Sequence, residues 1–321
     1  MAMERLIESQ SDAKTFVDEK IQEIQETVGD GQVINALSGG VDSSAVTMLG
    51  HQAIGDQLET YFIDNALMRD GEPEQVAELF KGFGVDVEIV DARKEFLAAL
   101  KGVTGPEEKR EAVTQTFYKD VFGRLVKESS ARYLLQGTIL TDVEETEAGI
   151  KRQHNVLEQL GINTQEEFGY VVLEPLLELR KSAVRRIAKY LGLSKDVYNR
   201  MPFPGPALAT RIIGEVTHEK LYTVRKATAI VEHELEGSGA FQYLAILHND
   251  QVTGVRDGKR DFGYQIEVRC WNSTDAVKAT PTKLTHDLLS YVAGRLTKEV
   301  PGVVSVTYNI TNKPTSTIEA I

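Results

Sequence analysis

Residues 32–44 decide the fold: Gln32-Val-Ile-Asn-Ala-Leu37 runs directly into Ser38-Gly39-Gly40-Val41-Asp42-Ser43-Ser44. The first six residues are a short, mainly apolar run, which is typical of a strand buried in a parallel sheet. After the glycines, apolar residues recur at four-residue intervals through Val41, Ala45 and Leu49, and this spacing marks one face of a helix. A buried strand, a glycine loop and a helix in this order predict an α/β fold with a ligand at the loop.

The alternation continues to about residue 192. A polar helix is predicted over 3–28, strands over 58–63, 85–90 and 133–136, and helices over 72–83, 107–130 and 182–191. This alternation predicts a doubly wound parallel sheet, which binds ligands at the carboxyl ends of its strands. Such ends are occupied by the loop after the first strand, by Asp64 and by Gln136-Gly137.

The pattern changes at Met201-Pro-Phe-Pro-Gly-Pro206, where three prolines and a glycine stiffen the chain. Beyond it, helices are predicted over 217–236 and 282–299, and strands over 241–248, 264–271 and 303–311. This different order predicts a second, smaller α+β domain. We therefore expect two domains, residues 1–200 and residues 201–321.

Composition excludes several classes of protein. The chain has 321 residues, a net charge of −12 and one cysteine, Cys270. The acidic balance argues against a broad nucleic-acid-binding surface, and a single cysteine excludes an intrachain disulfide framework or a cysteine-cluster metal site. No apolar run is long enough to predict a signal peptide or a membrane helix. These features predict a cytoplasmic enzyme that binds neither nucleic acid nor membrane.

The loop at 38–44 has the chemistry of a phosphate site. Its glycines allow a tight turn with accessible N–H groups, its serines add hydroxyl donors, and the helix N-terminus adds partial positive charge. Asp42 would hold Mg²⁺ beside the phosphates, which makes it both a metal ligand and a catalytic candidate. The alternative is an ordinary capped helix start. The loop is not a Walker sequence, because Gly-Lys-Ser/Thr is missing. The predicted ATP-binding residues are Ser38, Gly39, Gly40, Val41, Asp42, Ser43, Ser44, Asp64, Gln136 and Gly137.

Ser-Gly-Gly-Val-Asp-Ser-Ser resembles the signature of the N-type ATP pyrophosphatases, a superfamily with an adenine nucleotide alpha hydrolase-like fold. Its members adenylate an oxygen of their acceptor and release pyrophosphate. Further motifs occur in the order seen in the GMP synthetases, over nearly the whole chain. They are Asp64–Glu72, Gln136-Gly137-Thr138, Ile150–Asn155, Glu174-Pro175-Leu176, Pro202–Pro206, Arg211–Val216 and Lys313–Glu319.

This resemblance implies ATP and xanthosine monophosphate (XMP) as substrates, Mg²⁺ as cofactor and a homodimer formed through the second domain. It implies that Lys151 and His154 belong to a lid over the reacting centre and act in catalysis. The segment 102–109 and the helix over 217–236 are expected to be scaffold. The implied acceptor-binding residues are Pro204, Gly205, Pro206, Arg211, Lys313, Ile318 and Glu319.

Many GMP synthetases also carry a glutaminase domain with a cysteine nucleophile in a Gly-x-Cys-x-Gly elbow. Here Cys270 lies in Val268-Arg-Cys-Trp-Asn272 without that elbow, so we interpret it as a core residue. The resemblance therefore implies a synthetase subunit that receives ammonia from a separate glutamine amidotransferase subunit. Sulfur transfer to tRNA is disfavoured, because it calls for catalytic cysteines and an RNA-binding surface.

The chain departs from the family pattern on the acceptor side. Ala207 stands where the family usually has glycine, Gln153-His154-Asn155 replaces a His-His-Asn run, and Asp275–Ala279 and the residues after Lys313 also differ. Two alternatives to a GMP synthetase therefore stay open. One is a diverged paralogue that adenylates another acceptor, and the other is a non-catalytic nucleotide-binding subunit.

Overall fold

A computed structural model describes residues 4–147, 170–256, 258–273 and 278–320. The chain divides into two compact units. The first contains the described residues of 1–64, 73–91 and 117–200, and the second those of 65–72, 92–116 and 201–321. The segments 65–72 and 92–116 thus belong with the C-terminal part of the chain, which the sequence did not indicate.

The elements of the first unit, together with those of 65–116, alternate as predicted. In chain order they are α1 (Gln10–Val28), β1 (Val33–Ala36), α2 (Val41–Ile54), β2 (Leu58–Asp64), α3 (Glu72–Lys81), β3 (Val87–Asp91), α4 (Arg93–Ala99), α5 (Pro106–Gln115), a π-helical segment (Thr116–Phe122), α6 (Gly123–Glu128), β4 (Tyr133–Leu135), α7 (Leu140–Glu147), β5 (Val171–Leu173), α8 (Lys181–Tyr190) and α9 (Lys195–Tyr198). The single helix predicted over 107–130 is instead three segments with a π-helical centre.

The sheet of the first unit has the order β3-β2-β1-β4-β5, and every neighbouring pair is parallel. This confirms the doubly wound parallel sheet. Val33 of β1 pairs with Leu58 of β2 on one side and with Tyr133 of β4 on the other. The strand order therefore reverses beside β1, and the carboxyl ends of β1 and β4 flank the crevice where such sheets bind ligands.

Apolar residues of the strands and helices form the core of this unit. Val33 and Ile34 of β1 are fully buried, as are Phe16 of α1 and Leu49 of α2. Burial of one such side chain contributes about 1.5–3 kcal/mol to stability. Because both faces of β1 are covered, the loop that follows it starts from a fixed position.

The second unit contains a mainly antiparallel sheet. Its elements after residue 200 are a 3-10 turn (Ala207–Arg211), α10 (His218–Leu235), β6 (Gln242–Arg256), β7 (Lys259–Asn272), β8 (Thr280–Pro281), α11 (His286–Glu299) and β9 (Val303–Tyr308). Strands β6 and β8 pair antiparallel with β7, whereas β9 pairs parallel with it. This confirms a second α+β unit. Strand β6 extends beyond the predicted end at 248. The prediction stopped there because the outer part of the strand carries polar residues. The pairing with β7 also shifts register between Leu247 and Gln251.

Candidate active site

The phosphate loop (residues 38–44) joins β1 to α2. Gly39 has a φ of +73°, a backbone conformation that only glycine adopts without strain. Gly40 is the N-cap of α2 and provides no side chain to cap it. The N–H groups of the first turn of α2 are therefore uncapped by any N-cap side chain and suit an anion.

Two of the three predicted serines organise this loop. Ser43 Oγ donates to Gly40 O over 3.1 Å, accepts from the Ser38 N–H over 3.2 Å and lies 3.0 Å from Ser38 Oγ. Ser44 differs, since it is fully buried and its hydroxyl has no hydrogen-bond partner among the described residues. The hydroxyls near the mouth of the loop are thus those of Ser38 and Ser43.

Asp42 is paired with a lysine that the sequence analysis missed. Lys181, the first residue of α8, places Nζ 2.5 Å from Asp42 Oδ2. Asp42 Oδ1 is buried and makes no hydrogen bond within the described part of the chain. A lysine at a helix N-terminus interacts unfavourably with the helix dipole. This unfavourable position was the feature of the sequence that could have indicated a functional role for Lys181.

Gly137 brings the end of β4 against the start of α2. A Cβ at this position would lie 3.0 Å from Asp42 C and 3.2 Å from Ser43 N, so any side chain would displace the loop. Gln136 Nε2 donates to Thr138 Oγ1 over 3.2 Å, and Thr138 in turn bonds Glu174. The predicted Gln136-Gly137 pair therefore does flank the phosphate loop.

A second cation, Arg200, also reaches this loop. Its Nη1 donates to Gly39 O over 3.0 Å. Lys181 and Arg200 thus bring two positive charges to the loop, beside a helix N-terminus. Cationic side chains at a helix N-terminus favour a polyanion such as a nucleotide triphosphate. Asp64, at the carboxyl end of β2, is half-buried and pairs in register with Asp91.

The second unit holds a group of charged, polar and aromatic residues that we name the arginine cluster. Its members are Arg69, Phe203, Arg211, Glu232, Gln242 and Glu319. The Arg69 guanidinium makes a bidentate pair with Glu232, with distances of 2.8–3.0 Å. Arg211 is 1% exposed and lies 3.4 Å from Glu319 and 3.8 Å from Glu232. Both guanidinium carbons lie over the Phe203 ring, at 4.0 Å for Arg69 and 4.7 Å for Arg211.

The predicted acceptor residues Arg211 and Glu319 therefore meet, and Gln242 joins them by donating to Glu319 Oε1 over 3.1 Å. Ile318 is buried against Leu244 and Trp271 in an apolar cluster, so its side chain is a core residue of this unit. Lys313 is attached through its backbone, because it exchanges hydrogen bonds of 2.8 and 3.1 Å with Ala279.

The turn that carries Arg211 is tightly held. Its first residue, Ala207, has a φ of +50°, which a residue with a side chain rarely adopts. The Ala207 N–H donates to Pro204 O over 2.8 Å, and the Ala209 N–H donates to Pro206 O over 3.1 Å. Gly205 between them is exposed. The Pro204–Pro206 loop thus supports the turn directly.

Two segments expected to be scaffold contact this region. Glu232 belongs to α10, and Lys109 of α5 is fully buried with Nζ 2.6 Å from Ile212 O and 3.4 Å from Ala209 O. Burial, with a smaller contribution from the charge of Lys220, lowers the pKa of Lys109 to about 8. Lys109 therefore fixes the backbone on either side of Arg211.

The remaining predicted site residues, Lys151 and His154, lie outside the described residues. Within the described ranges, no three His, Cys, Asp or Glu side chains cluster as a metal site. No helix there is long and apolar enough to cross a membrane.

Comparison with known proteins gives separate matches for the N-terminal and the C-terminal parts of the chain. A family model described as NAD synthase matches residues 10–205, and one described as GMP synthase C terminal domain matches residues 229–320. A protein of Archaeoglobus fulgidus, named as a subunit of GMP synthase [glutamine-hydrolyzing], is 49% identical over 308 residues, covering 96% of this chain and 99% of the relative. The chain belongs to this family of GMP synthase subunits. The Pyrococcus furiosus protein of the same name is 47% identical over 307 residues, covering 95% of this chain and 96% of that protein.

The two matches cover residues of both candidate sites of this GMP synthase family member. The NAD synthase match spans the phosphate loop, Lys181 and Arg200, and the loop is the feature that the N-type ATP pyrophosphatases share. The GMP synthase C-terminal match spans Glu232, Gln242 and Glu319 of the arginine cluster. Arg69 and Phe203 of the same cluster lie within the NAD synthase match, so residues of both candidate sites are covered by a family model.

Proposed function

We propose that this protein is a ligase that aminates XMP to GMP while cleaving ATP to AMP and pyrophosphate. The ammonia comes from a separate glutamine amidotransferase subunit. The observation that carries the proposal is the phosphate loop with its paired Asp42 and Lys181, in a chain nearly coextensive with proteins named as subunits of GMP synthase [glutamine-hydrolyzing]. The activity requires ATP binding, acceptor binding and transfer of nitrogen.

ATP binds through its phosphates at the phosphate loop. The uncapped N–H groups of α2 and the hydroxyls of Ser38 and Ser43 donate to phosphate oxygens. Lys181 and Arg200 neutralise the triphosphate and the pyrophosphate that leaves, and a charge-assisted hydrogen bond of this kind contributes about 1.5–3 kcal/mol. Gly137 keeps the end of β4 against the loop and so preserves its shape.

The residues at the loop also fit a divalent cation, which we take to be Mg²⁺. Asp42 Oδ1 is buried and makes no hydrogen bond within the described ranges, and a carboxylate oxygen is the donor that Mg²⁺ prefers. Asp42 would hold the ion, which would neutralise part of the phosphate charge when bound. Lys181 holds the carboxylate of Asp42 in place.

The arginine cluster suits an anionic acceptor. Arg69 and Arg211 each have one buried Nη1 atom that makes no hydrogen bond among the described residues. Two such donors in one cluster match the phosphate of XMP, because guanidinium groups bind phosphate oxygens in a planar, bidentate way. Phe203 holds both guanidinium groups by cation–π contacts.

The chemistry then proceeds in two balanced steps. The carbonyl oxygen on the carbon to be aminated attacks the α-phosphorus of ATP, and the bond from that phosphorus to the bridging oxygen breaks. Pyrophosphate leaves, and the ring nitrogen beside that carbon loses its proton. Ammonia then adds to the activated carbon, which expels AMP and releases a proton. The protein's own residues bind and orient the two nucleotides, which lowers the entropic part of the barrier. Lys151 and His154 stay proposed as catalytic lid residues on the family resemblance.

The ammonia source follows from the single cysteine. Cys270 is buried, and burial raises the pKa of its thiol, so the nucleophilic thiolate is disfavoured. Cys270 is therefore not suited to serve as a glutaminase nucleophile. The names of the relatives, which describe them as subunits of a glutamine-hydrolyzing enzyme, support a separate partner. We also propose a homodimer through the second unit, on the family resemblance, and cytoplasmic location stays a prediction from the sequence.

The test is to incubate the protein with ATP, Mg²⁺, XMP and ammonium and to measure AMP, pyrophosphate and GMP. We expect AMP and GMP in equal amounts, formed only when XMP is present. ATP cleavage that is indifferent to XMP would instead favour a paralogue with another acceptor. Nucleotide binding without any cleavage would favour the non-catalytic alternative.

Asp42→Ala should abolish pyrophosphate release, because it removes the carboxylate proposed to hold the metal. The matched control is Asp196→Ala, which removes an exposed acid from α9 in the same unit. A folded Asp42→Ala protein with the turnover of the control would refute the role given to the loop.

A further inference from the structure

Arg269 of β7 holds the C-terminal segment by its backbone. The side chain is 8% exposed, and Nη1 donates to three successive carbonyl oxygens: Thr317 O over 2.8 Å, Ile318 O over 3.3 Å and Glu319 O over 3.0 Å. The Thr317 hydroxyl also donates to Glu319 O over 2.6 Å. One guanidinium therefore fixes the path of residues 317–319.

Arg269 is itself held by an acidic residue on the same strand. Its Nε donates to Glu267 Oε1 over 2.6 Å, and the same oxygen accepts from Asn309 Nδ2 over 2.8 Å. Glu267 Oε2 lies 2.8 Å from His248 Nε2. Glu267 thus has partners on β6, on β7 and just after β9, and its orientation is fixed by the sheet.

The segment that Arg269 holds ends in the arginine cluster. Ile318 is buried in the apolar core beside Trp271, and the Glu319 carboxylate lies against Arg211 and Gln242. Its backbone is thus held by Arg269 on one side, while its side chains reach the core and the cluster. The Glu319 carboxylate cannot keep its place beside Arg211 if the carbonyls of 317–319 move.

We infer that Arg269 is a positioning residue for the acceptor site: it sets the conformation of residues 317–319 and thereby the place of Glu319 beside Arg211. The inference rests on the proposed function, because it gives those residues a role in binding XMP. Arg269 contacts Glu267 and the carbonyl groups of residues 317–319, and it acts through Glu319. It is therefore distinct from the residues that would touch the nucleotide.

Kinetics provide the first readout. Arg269→Gln removes the charge and the fork, and we expect the KM for XMP to rise about ten- to a hundredfold, the range for loss of charge-assisted hydrogen bonds. The KM for ATP and the kcat at saturating XMP should stay near those of the wild type. Arg269→Lys keeps a charge but loses the fork, and should restore part of the affinity for XMP. The matched control is Arg295→Gln, which removes an arginine paired with Glu234 and Glu299 in the same unit.

Fluorescence provides a second readout that does not depend on activity. Trp271 is the only tryptophan of the chain, is fully buried and packs in the cluster that contains Ile318. Release of the segment would expose Trp271 to water, so we expect red-shifted emission from Arg269→Gln in native buffer. Deletion of Lys313–Ile321 should give the same shift, and Arg295→Gln should give none.

These readouts separate the inference from the proposed function. If the wild type shows no XMP-dependent AMP formation, the proposed function fails, while the emission shift still shows whether Arg269 holds the segment. If XMP is the acceptor but Arg269→Gln shows neither the emission shift nor a higher KM for XMP, the inference is overturned. Equal increases in the KM for XMP and for ATP would also overturn it. If Arg269→Gln does not fold, the same criteria apply to Arg269→Lys.

Discussion

Lys181 offers the sharpest separation of a functional role from a structural one. The side chains of the Lys181–Asp42 pair are 44% and 25% exposed. An ion pair this open to solvent contributes only about 0.2–1 kcal/mol to stability. Lys181→Gln should therefore unfold at nearly the same urea concentration as the wild type.

Catalysis should respond much more strongly. If Lys181 neutralises the phosphates of ATP and positions Asp42, its loss removes a charge-assisted hydrogen bond that contributes about 1.5–3 kcal/mol. That free energy corresponds to a roughly ten- to hundredfold lower kcat/KM for ATP. The measurement is pyrophosphate release as a function of ATP concentration, at saturating XMP and ammonium.

Arg180 is a well-matched control. It immediately precedes Lys181, its side chain is 41% exposed, and it pairs with Glu144 and Glu4 instead of with the phosphate loop. Arg180→Gln should lose as little stability as Lys181→Gln but keep its activity. If both variants keep the wild-type kcat/KM, or if the loss of activity in Lys181→Gln follows a comparable loss of stability, the reasoning about Lys181 is refuted.

Three further outcomes are expected. Deletion of Lys313–Ile321 should raise the KM for XMP about ten- to a hundredfold, with little effect on the KM for ATP. Lys313→Ala should reproduce much of this increase in the KM for XMP. Equal increases in both KM values in steady-state kinetics would show that the segment supports the fold. Glu232→Gln should lower the free energy of unfolding by about 3 kcal/mol, because it leaves the Arg69 guanidinium without its bidentate partner. An equal loss of unfolding free energy in the exposed control Glu299→Gln, measured by urea denaturation, would contradict this prediction. Burial opposes ionisation of Glu267, but hydrogen bonds from His248, Arg269 and Asn309 prevail and lower its pKa from 4.5 to about 2. Because the folded pKa lies below the unfolded value, the stabilisation by the Glu267 carboxylate is complete above pH 4.5 and is lost as the pH falls towards 2. The difference in unfolding free energy between the wild type and Glu267→Gln should therefore change by about 3 kcal/mol over this range. A difference that does not depend on pH would contradict this prediction.

The sequence predicted the parts of the fold that have strong local signals. The buried run at 32–37 and the four-residue spacing after it specify β1 and α2, and both lie where expected. Strand β5, Val171–Leu173, was not predicted. The π-helical centre of 107–130 was missed because it interrupts a pattern that otherwise continues as a helix.

The sequence predicted those parts of the candidate site that lie in loops directly after strands. Residues 38–44 and Gln136-Gly137 follow strands, so the rule for carboxyl ends located them. Lys181, Arg200 and Arg69 were missed because their partners are distant in sequence: Asp42, Gly39 and Glu232 lie more than a hundred residues away in each case. Such pairs are fixed by tertiary packing, which a pattern of neighbouring residues does not report.

The second unit is assembled from three separate segments of the chain, and this affects when it can fold during synthesis. Arg69 and Lys109 belong to segments made early, whereas their partners Glu232 and Ile212 emerge from the ribosome at least a hundred residues later. Strands β1, β2 and β3 of the first unit are neighbours in the sheet and follow one another closely in the chain, so they can pair soon after they are synthesised. A nascent chain that ends near residue 200 therefore carries two segments, 65–72 and 92–116, whose docking partners do not yet exist. The unit that holds the arginine cluster is completed only when the residues up to Glu319 are made.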